Sequence, residues 1–138
     1  MKIYFDHEKL QAYQKALQFA VFTETLLERV PKSTAVHNQL DRARTSIVLN
    51  IPEGNGRFTA PDRCKFFDIA RGSGLECAGC LDIIFIKKLI NETELDEGKR
   101  LLQDIVSLLI GLIRSNSPDR LHESPPEYRV GGGLERQD

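Results

Sequence analysis

The stretch STAVHNQLDRARTSIVLNIPEGNGR, residues 33–57, decides the fold. Its apolar residues Val36, Leu40, Ala43 and Ile47 recur at steps of three and four, which places them on one face of a helix and excludes the strict alternation of a strand. Ser33 or Thr34 can cap the start, because a side-chain oxygen there accepts from an otherwise orphaned backbone N–H. The face runs on to Ile51, and then Pro52 intervenes. Either the helix kinks at Pro52, giving up one backbone hydrogen bond at about 3 kcal/mol unless neighbours compensate, or it ends near Asn50. Glu53-Gly54-Asn55-Gly56 reads as loop, and the helix is expected near 34–54.

Working outward, the same period appears on both sides. Thr59 followed by Ala60-Pro61-Asp62 is a cap with proline in the first turn, and it predicts a helix over about 60–90. Upstream, Leu10, Tyr13, Leu17, Ala20, Val21 and Leu27 predict a helical face, with Phe19, Phe22 and Leu26 as a second stripe. Asp6 is the expected cap and Pro31 the stop, giving a helix over about 6–30. Downstream, Asn91 and Glu94 have capping-box spacing, and the acids at 92, 94, 96 and 97 suit the positive end of a helix dipole, predicting a helix over about 92–115. Four helices joined by short turns predict an all-α, antiparallel up-down-up-down four-helix bundle over residues 1–115 with no sheet. Residues 116–138, with Ser117-Pro118, Ser124-Pro125-Pro126 and Gly131-Gly132-Gly133, lack any period and are expected to form a disordered polar tail.

A chain of 138 residues supports one core and not two. Its net charge of −1 lacks the overall basicity of a nucleic-acid wrapper, so any electrostatic partner must meet a local patch. The first residues carry Asp6 and Glu8 and no apolar run behind Lys2, which predicts a cytoplasmic protein without a secretory signal. The apolar run Ile105 to Ile113 is interrupted by Ser107 and Gly111 and falls short of the roughly 20 residues of a membrane span. The last two helices are apolar over more than one stripe, which predicts a second buried face and so self-association.

Cys77-Ala78-Gly79-Cys80 has the spacing of a metal or redox motif, but no further ligand pair stands at a comparable spacing, and Cys64 and the three histidines are scattered. The expectation is reduced, metal-free cysteines packed inside a helix and replaceable by alanine or serine. No cofactor is expected. No Ser–His spacing, zinc-protease motif or phosphate-binding loop marks a catalytic centre, so the chain is read as a non-enzyme. The informative stretch is 42–71, where Arg42, Arg44, Arg57, Arg63, Lys65 and Arg71 oppose Glu53, Asp62 and Asp68, with Phe58, Phe66 and Phe67 interleaved. Arginine predominates, as phosphate contacts prefer, although 7% aromatics and no Trp offer little to a stacking site; the same pattern also suits a solvated helix face over core phenylalanines.

Three blocks also carry a family resemblance. Ser46-Ile47-Val48-Leu49-Asn50-Ile51-Pro52-Glu53-Gly54-Asn55-Gly56-Arg57 resembles the S-I-x-x-N-I-A-E-G-x-G-R signature of the four-helix-bundle proteins encoded in intervening sequences of bacterial 23S ribosomal RNA genes. Leu10 to Ala16 resembles the L-x-V-W-Q-K-A opening of that family, with Tyr13 for Trp, and Phe66 to Glu76 resembles its F-L-x-I-A-x-G-S-x-x-E block. Pro52 departs from the family's usual Ala. The resemblance implies a cytosolic bundle that forms a ring-like homopentamer, related to the accessory variability determinant of diversity-generating retroelements, which binds nucleic acid and a reverse transcriptase. It carries over Asn50, Glu53, Gly54, Arg57 and Glu76. Glu53 stands four residues before Arg57, the favourable order for an ion pair if the helix passes Pro52, and Asn50 is a candidate to share a polar network with Glu76. The functional expectation is a non-enzymatic oligomer that binds RNA or works with a nucleic-acid-processing protein. The alternative is a protein-interaction scaffold that binds no nucleic acid.

Overall fold

In a computed structural model the described residues are 2–116, and they form a short 3₁₀ turn, Asp6–Lys9, followed by α1 (Gln11–Glu28), α2 (Ala35–Asn55), α3 (Ala60–Ile86) and α4 (Glu92–Asn116). No strand occurs among them. The tail expected from residue 116 onward otherwise lies outside the described residues; Asn116 itself closes α4.

Polar contacts at the two ends of the bundle fix its topology. Arg29, just past α1, donates to Glu94 in the first turn of α4 at 2.5 Å. At the other end Arg63 of α3 donates to Asn116 of α4 at 2.8 Å, and Asn55 of α2 donates to Asp6 ahead of α1 at 3.1 Å. The start of α1 therefore lies with the ends of α2 and α4 and the start of α3, so each neighbouring pair is antiparallel. Helices α1 and α2, α2 and α3, α3 and α4, and α4 and α1 are all in contact. The core between them is built from Phe19, Leu26, Leu40, Ile47, Ile51, Phe67, Leu81, Ile84, Ile105 and Leu109, each essentially without solvent exposure.

The caps act where the sequence places them. The Thr34 side chain accepts from the N–H of His37 at 3.3 Å, and that of Thr59 accepts from Asp62 at 3.3 Å. Asn91 and Glu94 form the full reciprocal box, Glu94 N–H to Asn91 at 2.8 Å and Asn91 N–H to Glu94 at 2.9 Å. Four expectations are corrected. Asp6 does not cap α1: it opens the separate 3₁₀ turn, and Leu10 is extended between the two elements. The buried face of α1 combines Leu27 with Phe19 and Leu26 of the second stripe and adds Ala12, Ala16 and Thr23; Leu10, Tyr13 and Phe22 pack against it partly buried, while Val21 points outward at 72% exposure. Helix α3 ends at Ile86, four residues early, where Lys88 takes a positive φ of 64° and turns the chain. Between the two alternatives at Pro52, α2 neither ends at Asn50 nor breaks there; it continues to Asn55 with Ile51 and Gly54 buried, so the stretch 53–55 is helix and not loop.

Candidate nucleic-acid interface

The basic stretch divides sharply when it folds. Arg44 turns inward: its guanidinium donates to Asp41 at 2.8 Å, to the carbonyl of Ala20 at 3.0 Å and to Thr23 at 3.2 Å, and pairs with Glu24 at 2.8 Å. Burial penalises that charge, but the bonds to Asp41 and Glu24 outweigh the penalty and hold its pKa above the ordinary arginine value. Arg63 spans two helix ends. It donates to the carbonyl of Asn55 at 2.6 Å and to Asn116 at 2.8 Å, so a cation meets the negative ends of α2 and α4. Arg71 donates to Asp68, three residues before it, at 3.0 Å. Arg57 pairs with Glu53 across one turn, as the i, i+4 spacing predicts once α2 continues past Pro52. Among the described residues Arg42, Arg63 and Lys65 have no acidic partner, and of these Arg63 is held by amide and carbonyl oxygens.

What remains as surface is a corner. Between α2 and α3 the link Gly56–Thr59 presents Phe58, whose side chain is fully exposed. Beside it the Arg57 guanidinium lies over the ring of Phe66 at 4.6 Å from the centroid, and the Lys65 ammonium lies over the same ring at 5.6 Å. Arg42 stands away from this corner, in the middle of α2.

Of the residues carried over from the family signature, Asn50 and Gly54 serve the packing, while Glu53, Arg57 and Glu76 are exposed. Asn50 does not meet Glu76, which is exposed; its amide donates instead to the carbonyl and hydroxyl of Ser46 at 2.9 and 3.0 Å, and Ser73 of α3 donates to the Ser46 hydroxyl at 2.7 Å. The α2–α3 network is thus Asn50–Ser46–Ser73, and the two serines were legible only as members of the Ser46 to Arg57 and Phe66 to Glu76 blocks. Gly54 is required because a Cβ there would stand 2.9 Å from the Phe67 ring and 3.0 Å from the Arg63 carbonyl. In the Gln-Lys-Ala block, Gln14 donates to the carbonyl of Glu8 at 3.0 Å and Lys15 pairs with the buried Asp104 of α4 at 3.3 Å. That ion pair was missed in sequence because its partners stand on the first and last helices.

All three cysteines are buried as free thiols, and burial pushes the Cys77 and Cys80 thiols up. No grouping of His, Cys, Asp or Glu able to hold a metal occurs among the described residues, and no helix there is long and apolar enough to cross a membrane.

The model of the family described as 23S rRNA-intervening sequence protein matches residues 8–111, which include every block quoted above. The chain belongs to this family. The intervening-sequence bundle is also similar to the crystal structure of a protein of unknown function from the S23 ribosomal protein family of Bacteroides thetaiotaomicron. The TM-score is 0.69 at 24% identity, and the match covers 75% of this chain and 98% of that one, a likeness of fold. No curated protein matches the sequence.

Proposed function

We propose that this protein works by association and not by catalysis: a cytoplasmic, self-associating four-helix bundle that binds RNA. The observation that carries the RNA half is the corner at the start of α3, where an exposed phenylalanine adjoins two cations stacked on a second ring. Aromatic faces beside cations are what single-stranded nucleic acid uses for stacking and phosphate contact. Self-association is supported by α3, which presents Ile69, Ile83 and Ile86 outward, and by an open groove lined by Leu17, Val21, Val48 and Leu49 between α1 and α2. Gly72 and Gly79 strengthen it. An added Cβ at either would meet nothing within 4 Å, so the bundle itself has no packing use for two glycines that weaken a helix. A ring of five is the proposed assembly, on the family resemblance.

Filter binding of structured RNA across a salt series tests this reading, with affinity falling steeply as salt rises if phosphates are contacted. A second reading is favoured by a specific observation: Arg44, Arg57, Arg63 and Arg71 spend their charge on partners within the chain. A scaffold that binds only protein fits that, and it replaces the RNA reading if no RNA binds at low salt.

A further inference from the structure

We propose that Phe58 is a stacking platform for one unpaired nucleobase, flanked by Lys65 and Arg57 as contacts for the adjoining phosphates; this rests on the RNA reading and names the site and the form of nucleic acid it takes. The argument begins with exposure. Phe58 is 102% exposed at the tip of a four-residue link, so an entire aromatic ring stands in water with no ring or cation partner among the described residues. Leaving such a ring exposed forgoes the usual gain of burying it, and a planar partner would recover that gain on the face it covers.

The surroundings select the partner. Lys65 sits on the Phe66 ring and has no acidic partner among the described residues, and Arg57 covers the same ring while paired with Glu53. Glu53, the exposed Asp62 and Asp6, which is held by Asn55, limit the local positive field, so the corner suits one or two phosphates and not a long backbone track. A wholly apolar protein pocket would take the ring but would have to desolvate the two cations beside it, whereas a nucleotide supplies a π face and an anion together. The base must be unpaired, because bases stacked in a duplex hide their faces.

The test uses the full chain and a uridine-rich 12-nucleotide RNA carrying one 2-aminopurine, whose fluorescence is quenched on stacking and is read easily in a protein without tryptophan. The wild type is expected to quench it. Phe58→Ala should lose the quench and weaken binding by about 5- to 150-fold, the range for removing one stacked base, with the helical circular dichroism unchanged since the ring is fully exposed. Phe58→Tyr should restore both. Lys65→Gln should keep the quench and reduce the salt slope by about one. DNA of the same sequence should quench alike, since stacking ignores the sugar; a strict need for ribose would overturn the proposal. So would a duplex that binds as well as the single strand, or a Phe58→Ala variant that binds and quenches like the wild type. A Phe58→Ala change in sedimentation with RNA binding intact would assign the ring to a protein contact and overturn it too. Failure of the RNA reading is distinguishable: there, the wild type binds no RNA at any salt, whereas salt-dependent binding indifferent to Phe58 overturns only the stacking site.

Discussion

Two residues of the family signature show how position within a packed pair of helices sets what a side chain does. Gly54 lies where α2 crosses α3, and a methyl group there meets the buried Phe67 ring and the Arg63 backbone. Gly54→Ala should therefore destabilise the bundle by about 1–3 kcal/mol, the range for overpacking a tight site, measured by urea unfolding. An unchanged midpoint would mean that the helices separate freely. Arg63 reaches the carbonyl of Asn55 and the side chain of Asn116, so its removal disturbs two helix ends as well as a basic surface. The clean probe of RNA binding at the corner is accordingly Lys65. The cysteines follow the same logic: each is at most 4% exposed, so alanine fits better than serine, whose hydroxyl would need a buried partner.

At the scale of the element, α2 and the joint between α1 and α4 are the informative cases. Pro52 sits inside α2 with no N–H to give, so the carbonyl of Val48 lacks its helical donor. Pro52→Ala, which restores the family's usual residue, should raise stability by about 1–3 kcal/mol, seen as a later urea midpoint; a loss would show that the proline's fixed φ is needed there. At the start of α4, Arg29 donates to Glu94, and the Asn91 N–H adds a second bond, so the Glu94 carboxyl is held below its ordinary pKa. A lowered folded pKa contributes stability above the unfolded value of about 4.3 and loses it as pH falls through the folded value. The gap in melting temperature between wild type and Glu94→Gln should therefore be present near pH 6 and close toward pH 3. Because the pair is partly solvated, that gap corresponds to less than about 1 kcal/mol. A gap that persists at pH 3 would assign the effect to the cap geometry alone.

For the whole molecule, the outward face of α3 makes opposite demands on monomer and assembly. The double change Gly72→Ala, Gly79→Ala should strengthen the isolated helix by about 0.5–1 kcal/mol per site and weaken self-association, read by sedimentation over a concentration series. A clean monomer for the wild type at micromolar concentration would remove the oligomer from the proposed function. The sequence alone determined the four helices, the caps at Thr59 and Asn91 and a choice of Ser33 or Thr34 for α2, and the family, because each depends on neighbours within a few positions along the chain. Helical period and cap chemistry are local, and short links force antiparallel packing. Tertiary structure decided which stripe of α1 faces inward, whether α2 survives Pro52, and which cations stay free. Asn50 turned to Ser46 and not to Glu76, and Arg44 turned to Glu24 and Asp41, because a side chain's partner depends on how close two helices pass. The basic stretch counted as one patch in sequence, and the fold reduced it to a corner: Arg57 and Arg71 pair with acids one turn away, while Arg44 and Arg63 also reach groups on helices far along the chain.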